Sequence, residues 1–464
     1  MSNTNNYQSW GRYPKAKQQR ARHVFWQNDL IDFSDVEGTV LPYGLGRSYG
    51  DSCLNEGGTL LITTPLNRFL EFNPNTGLIR CEAGVSLAEL NQFLIPKGWF
   101  LPTTPGTKFV TIGGAIANDV HGKNHHVKGT FGSHVTRFEL LRSDGERLLC
   151  SPNENSDFYR ATIGGLGLTG LILWAEFQLR RIPGPYIAQE KIRFNRLDEF
   201  FEISRDSDHD YEYTVSWVDC VNYGDKLGRG IFIRGNHTWQ RPPDGKTPDP
   251  KPLATMPIDM PSAALNPLTM RLMGEAYYRA MIFKFQRKIV GFDPFFYPLD
   301  MILEWNKAYG APGFLQYQFV LPMEHSSRGM KEALTRISAS GLGSFVTVLK
   351  ICGDLPSPGM LSFPRPGVTL ALDFPFRGSQ TLRLLDQLDE LVMAYGGAVY
   401  PAKDARMSPQ MFAASFPKWR EFAQYVDPKF SSSFWRRVTR TLLQQDTEPA
   451  HESDHHRREL SYRA

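Results

Sequence analysis

Pro42-Tyr43-Gly44-Leu45-Gly46-Arg47-Ser48-Tyr49-Gly50-Asp51 is the stretch on which the reading of this chain turns. Three glycines within seven residues let a loop present successive backbone N–H groups, a geometry that cradles a pyrophosphate. Arg47 and Ser48 add a charge and a hydroxyl. The spacing is not G-x-G-x-x-G and no strand–helix crossover follows, so this is not a Rossmann site. The bland alternative is a glycine-rich turn. Two further segments have the same character. Pro105-Gly106-Thr107 leads into Thr111-Ile112-Gly113-Gly114-Ala115-Ile116-Ala117-Asn118-Asp119-Val120-His121-Gly122-Lys123, and Thr162–Ile172 holds four more glycines. Small residues there let a flat ligand lie against backbone. Three such segments within about 130 residues are hard to explain as tight packing alone. The whole chain shows the same bias: of 40 glycines, 22 fall in residues 1–185 and 18 in the remaining 279. Glycine weakens helices and strands, so that density needs a reason.

Around these segments the chain reads as a folded protein of two or three domains, with 464 residues of which 41% are hydrophobic. A formal charge of +4 gives no basic excess, so no nucleic-acid partner is expected. Five cysteines, an odd number without a C-x-x-C pair, point to reduced intracellular thiols rather than a disulfide framework. No uncharged apolar stretch reaches the roughly 20 residues of a spanning helix; Ala161–Ala175 stops at 15 residues and includes four glycines. The basic N-terminus lacks an apolar core, so no secretory signal is expected.

Residues 30–185 read as short strands broken by turn residues, with a helix over Ser86–Lys97. Ser86 is its N-cap, Glu89 completes a capping box, and Leu87, Leu90 and Leu94 recur at helical spacing. Ser143-Asp144-Gly145 joins two strands in a hairpin, and Pro183-Gly184-Pro185 marks a boundary. Residues 186–397 alternate strands (Tyr213–Val218, Gly230–Arg234, Phe314–Leu321, Ser344–Leu349, Val368–Phe374) with helices near 266–289, 324–340 and 380–395. Arg241–Pro261, with seven prolines, reads as a flexible loop or lid. The tail from Gln444 is polar and expected to be mobile.

The loop at 42–51, Gly113-Gly114-Ala115 and Gly165-x-Gly-x-Thr-Gly170 resemble FAD-linked oxidases of the vanillyl-alcohol oxidase and p-cresol methylhydroxylase type. More specific runs are His121-Gly122-Lys123-Asn124-His125-His126, Gly313–Phe319 with its Leu-Gln-Tyr-Gln core, and Ala402-Lys403-Asp404. Trp10-Gly11-Arg12 and Asp373-Phe374-Pro375 also match. These runs are most similar to the branch of that family serving arabinan precursor synthesis, and the likeness extends from about residue 10 to about 440.

The resemblance implies an α+β fold. A split two-subdomain FAD-binding domain would span 1–185 and a C-terminal return over 398–464. A substrate domain on an antiparallel sheet flanked by helices would fill 186–397. It implies cofactor contacts at Pro42, Tyr43, Gly44, Leu45, Gly46, Arg47, Ser48, Tyr49, Gly50, Asp51 and Ser52. Others follow at Gly106, Thr111, Ile112, Gly113, Gly114, Asn118, Asp119, Val120, His121, Ile172 and Tyr400. Tyr49 stands where many relatives carry a flavin-linking histidine, so FAD is expected to be non-covalent. The implied reaction is oxidation of a secondary alcohol, with hydride leaving for the flavin while a base takes the hydroxyl proton. Lys403, His121 and Tyr49 are the catalytic candidates, the choice of base between His121 and Lys403 being open. Lys123, Trp217, Gln316, Gln318, Lys350 and Lys403 are the substrate-pocket candidates. Gln316 and Gln318 share one strand face, and Lys123 or Lys350 suits a phosphate. His121, His125 and His126 lack a third-ligand motif, so no metal is expected.

The substrate implied is a lipid-linked sugar phosphate, oxidised at a ribose 2′-hydroxyl. Implied partners are a short-chain reductase acting on the keto product and an electron acceptor, quinone or oxygen. The implied location is cytoplasmic with peripheral contact at the inner face of a membrane, to which Leu268–Lys288, apolar and basic, would contribute as an interfacial helix. Two departures from that branch concern the substrate: Ala371 replaces a cysteine and Phe296 a tyrosine. A soluble FAD-dependent oxidase of free sugars, alditols or aldonolactones is the alternative, and a non-catalytic flavin- or lipid-binding protein a third reading.

Overall fold

The computed structural model describes residues 7–29 and 31–445; the expected polar tail lies, from residue 446 on, outside them. Three sheets organise the chain, and α+β describes it. The first is parallel: β1 (Arg20–His23), β2 (Val40–Tyr43) and β3 (Thr59–Ile62), with β3 in the middle. Leu60 and Leu61 are fully buried there, and β2 runs directly into the glycine loop.

The second sheet is antiparallel, built from β4 (Phe69–Phe72), β5 (Leu78–Glu82), β6 (Val135–Leu141), β7 (Arg147–Cys150) and β8 (Leu171–Gln178) in the order β4-β5-β8-β6-β7. Gly145 turns the β6–β7 hairpin with φ +89°, which only glycine adopts cheaply. The helix Leu87–Leu94 opens with the expected capping box. Ser86 Oγ accepts from the Glu89 N–H at 3.2 Å, and the Glu89 carboxylate accepts from the Ser86 N–H at 2.8 Å. Its buried stripe, Leu87, Leu90 and Leu94, packs into the same core as Ile79, Phe138 and Phe177.

The third sheet is antiparallel and eight-stranded. Its strands are β9 (Tyr186–Phe194), β10 (Tyr213–Val218), β11 (Gly230–Thr238), β12 (Phe285–Gly291), β13 (Phe314–Leu321), β14 (Thr347–Cys352), β15 (Gly367–Pro375) and β16 (Ala398–Val399). They lie in the order β12-β9-β11-β10-β14-β15-β13-β16. Alternation assigns its faces. Tyr317, Phe319 and Leu321 of β13 enter the core shared with the helices Met323–Ser340 and Ser379–Ala394, while Gln316 and Gln318 face the other way into a cavity.

One expected element divides. The helix anticipated over 266–289 starts on its Asn266 cap with Pro267 at its first turn but ends at Ala280. Residues 285–291 become β12, the edge strand pairing with β9. Arg287 there reaches across to Glu190 at 2.8 Å, so the C-terminal part of the apolar and basic stretch expected as an interfacial helix is a charged sheet edge. Within the proline-rich loop, Ala254–Thr255 forms a two-residue parallel pairing with Ile302–Leu303.

The end of the chain is stitched to its beginning. The Val40 N–H donates to Lys429 O at 2.8 Å and the Ser433 N–H to Leu54 O at 2.7 Å. Arg437 bridges Asp51 at 2.7 Å and Asp404 at 2.9 Å. These contacts brace the glycine loop from behind.

Candidate active site

A single large cavity of about 850 Å³ runs from the glycine loops to the open face of the eight-stranded sheet. Its first wall is the loop after β2. Gly46 has φ +62°. A Cβ on Gly44 would fall 2.4 Å from Thr111 Oγ1, so the loop backbone lies directly on that hydroxyl. Thr111 in turn N-caps the helix Ile112–Ala117, accepting from the Gly114 N–H at 3.2 Å. A Cβ on Gly106 would meet nothing within 4 Å, which leaves room for a ligand to approach the backbone.

Arg47 completes this wall. Its guanidinium lies 3.8 Å over the Trp10 ring, and its Nε is buried with no hydrogen-bond partner. Burial lowers its pKa, while the nearby Asp300 and Glu304 carboxylates oppose that shift. A buried orphan donor beside an open backbone cradle is a fit for an anion such as a dinucleotide pyrophosphate.

Of the expected cofactor contacts, Pro42 to Tyr49, Ser52, Gly106, Thr111, Gly113, Gly114, Asn118, Val120, His121, Ile172 and Tyr400 line the cavity. Gly50, Asp51, Ile112 and Asp119 stand behind its wall. Gly50 packs on the Asp404 carbonyl. Asp51 pairs with Arg437. Ile112 is fully buried in the core, and Asp119 accepts from the Gly132 N–H at 2.9 Å. These four brace the wall.

All the expected substrate-pocket residues line the same cavity. His121 Nε2 lies 3.0 Å from Gln318 Nε2, and Gln318 also donates to Thr369 Oγ1 at 3.1 Å. Lys350 Nζ donates to Gly122 O at 2.7 Å, and Lys123 Nζ to Phe296 O at 3.0 Å. Lys403 Nζ sits 3.9 Å over the Tyr49 ring, whose N–H is tied to Ala402 O at 2.8 Å. Gln316 donates to the Asp373 carboxylate. Trp217 donates to Phe345 O at 2.8 Å, and Tyr400 OH to Asn118 O at 2.7 Å.

Burial brings amines together in low dielectric, and their pKa values respond. Desolvation pulls Lys123 down to about 7, with Lys350 adding to the effect, and pulls Lys350 to about 8. Lys403 is lowered by burial and by Lys350, against the pull of Asp373; burial raises Asp373. His121 is driven well below its ordinary value by burial first, then by Lys350, His125 and Lys403, and so is neutral near physiological pH.

Sheet register arranges what lies beyond. Gln318 pairs with Ala371, Ala371 with Val348 and Val348 with Trp217. On a parallel row, Val215 pairs with Ile233 and Ile233 with Lys191. Strands are spaced about 4.8 Å apart, so the polar cluster grades into an arm of mostly apolar side chains, roofed by Tyr277, Phe345, Phe295 and Phe296. Ala371 and Phe296, the two departures, both face the cavity.

Sequence reasoning did not single out Asp373, Asp300, Gln189 or Lys191 as site residues. Asp373 lay within a quoted run without a role. Gln189 and Lys191 are two apart on β9 and both line the cavity, yet a Gln-x-Lys pattern on a strand ordinarily faces water. Among the described residues no cluster of three or more His, Cys, Asp or Glu forms a metal site.

Residues 32–151 match the family model described as an FAD binding domain. The chain is 38% identical over 412 residues to a decaprenylphosphoryl-β-D-ribose oxidase of Mycolicibacterium smegmatis, covering 86% of this chain and 89% of that protein. It is 31% identical over 374 residues to an uncharacterised protein in the mprA 5′ region of Streptomyces coelicolor, covering 76% of this chain and 100% of that protein. A D-arabinono-1,4-lactone oxidase of Yarrowia lipolytica is 28% identical over 169 residues, covering 35% of this chain and 31% of that protein.

Proposed function

The chain belongs to the decaprenylphosphoryl-β-D-ribose oxidase family of FAD-dependent oxidoreductases, and on that premise we propose that it oxidises the 2′-hydroxyl of a polyprenyl-phosphate-linked ribose to the 2′-keto sugar. One observation carries the choice of substrate. A single cavity joins a glycine-walled cradle, a cluster of buried amines and an apolar arm. A sugar bearing a phosphate and a long hydrocarbon needs those surroundings in that sequence. A free aldonolactone has no use for the arm.

FAD, when bound, supplies the two-electron acceptor for the departing hydride. The residues proposed to hold it are the cavity-lining members of 42–52 with Gly106, Thr111, Gly113, Gly114, Asn118, Val120, His121, Ile172 and Tyr400. Non-covalent binding is supported by the absence of histidine from that loop and by Cys53, which burial pushes up to about 12, so that its thiol stays protonated. Lys403 is the proposed base. Burial lowers its pKa, which makes the neutral amine accessible near pH 7, and Tyr49 supports it from below. His121 is a weaker base, and its Nε2 faces the Gln318 amide; its role is to orient the hydroxyl. Lys350 and Lys123 supply charge for the phosphate, and Trp217, Gln316 and Gln318 shape the sugar site.

On this plan residues 1–185 and 398–464 form the two-part FAD domain, with 186–397 the inserted substrate domain. The Arg437 bridge to Asp51 supports joining the ends. The keto product calls for a short-chain reductase, and the electrons for quinone or oxygen. No helix among the described residues is long and apolar enough to cross a membrane, and a lipid-linked substrate draws the enzyme to the inner membrane face as a peripheral protein.

The test is anaerobic mixing of the FAD-loaded protein with farnesylphosphoryl-β-D-ribose, followed by flavin absorbance. Bleaching by that compound and not by free ribose, alditols or aldonolactones is expected. Faster bleaching by the free sugars would transfer the assignment to a soluble sugar oxidase.

A further inference from the structure

Ten of the twenty large hydrophobic side chains exposed among the described residues fall within residues 253–302. Half of them in a fifty-residue stretch is not the single scatter of an ordinary surface. Eight of the ten lie on two segments that also wall the cavity, and Phe285 and Ile302 lie on neighbouring strands. The first is the loop carrying Leu253 and Ile258, 80% and 69% exposed; its Thr255, with Ile302 and Leu303 from the paired strand, lines the cavity. The second is the Pro267–Ala280 helix with the turn after it. Its inner stripe of Met270, Gly274 and Tyr278 is buried, and Tyr277 lines the cavity. Its outer stripe carries Leu268 and Leu272, and the turn adds Ile282 and Phe283, 75% and 69% exposed.

The exposed charges among these side chains that have no ion-pair partner are basic. Among the described residues no carboxylate pairs with Arg271 on the helix or with Lys288 on β12. The neighbouring acids are engaged elsewhere: Glu275 lies between Arg229 and Arg279, and Asp259 pairs with Arg12. Lys288 is exposed and pairs in register with Gln189, a cavity-lining residue, so this positive charge borders the apolar arm.

We propose that this face docks on an anionic lipid bilayer and that the cavity opens into it, so that a lipid-linked substrate enters without crossing water. The proposal rests on the lipid-linked substrate assigned above. Apolar side chains enter the acyl boundary while basic ones meet anionic headgroups, each adding about fivefold in affinity near the surface.

The test is co-sedimentation of the FAD-loaded protein, without substrate, with phosphatidylglycerol or phosphatidylcholine vesicles. The wild type should bind phosphatidylglycerol at least tenfold more tightly than phosphatidylcholine. The variant Leu268→Ser/Leu272→Ser/Phe283→Ser, altered at exposed positions only, should lose at least tenfold of that binding. Its thermal unfolding, flavin absorbance and turnover of farnesylphosphoryl-β-D-ribose in solution should match the wild type. No vesicle binding by the wild type, or equal binding by the variant, overturns the proposal. So does a dimer that the variant dissociates without vesicle binding, since a second copy then covers this face. Vesicle binding without turnover of the soluble substrate would strike the proposed activity instead, which separates the two failures.

Discussion

Lys403 lies over the Tyr49 ring with Asp373 behind it, and burial holds its pKa below the ordinary lysine range. If its neutral form takes the substrate proton, flavin reduction should rise with pH through a group titrating well below a free lysine. Lys403→Arg, which stays protonated, should cut that rate by about 10²–10⁴-fold, the usual contribution of a general base, with FAD still bound. Stopped-flow bleaching across pH checks this; a pH limb that persists in the variant would remove Lys403 from the role. Two histidines outside the proposed chemistry give a stability prediction. Burial lowers His125 and His237 to about 3, whereas in the unfolded chain they take protons near 6.5. The unfolded state therefore binds more protons as the pH falls. The stability present above about 6.5 should drain away towards 3, at about 2 kcal/mol per histidine by pH 5. His125→Gln should flatten the loss of melting temperature with acid; an unchanged slope would count against a neutral buried imidazole.

At the scale of elements, the short helix Ile112–Ala117 depends on one hydroxyl. Thr111→Val removes the cap and should cost about 1 kcal/mol of stability. It should also loosen FAD severalfold, because the glycine loop rests on the same side chain. Thr111→Ser should restore most of both, as followed by flavin fluorescence and chemical unfolding; equal FAD affinity in all three would deny the cap any part in the site. Elements whose signal is local were legible in the sequence, such as the Ser86 capping box, the Gly145 hairpin, and the Gln316 and Gln318 alternation. The helix expected over 266–289 was overextended because a charged edge strand and a half-buried helix share a composition. What separates them is the pairing of β12 with β9, nearly a hundred residues earlier.

Over the whole molecule, what the sequence could not reveal was chiefly long-range. The glycine segments and the His121–Lys123 run were readable in the chain, and the cavity gathers them. The roles of Asp373, Asp300 and Arg437 come from partners far away in sequence. Arg437 illustrates this, since two buried carboxylates, Asp51 and Asp404, share it. Arg437→Met should destabilise by roughly 3–5 kcal/mol, because it strands buried charge. Adding Asp51→Asn should recover part of the loss. Thermal and denaturant unfolding would show it, and a loss under 1 kcal/mol would mean that the bridge is only superficial.

The stitching of residues 429–437 onto residues 39–56 also sets a timetable. A ribosome delivers the N-terminal sheets first, yet the strand that feeds the glycine loop finds its backbone partner at Lys429, nearly four hundred residues later. Synthesis at about 5–20 residues per second separates the two by tens of seconds. During that interval the nascent N-terminal half has an unbraced sheet edge and an unfinished loop. Tight flavin capture should therefore wait until residues 429–437 arrive to brace that loop, and an isolated N-terminal fragment should aggregate rather than turn yellow.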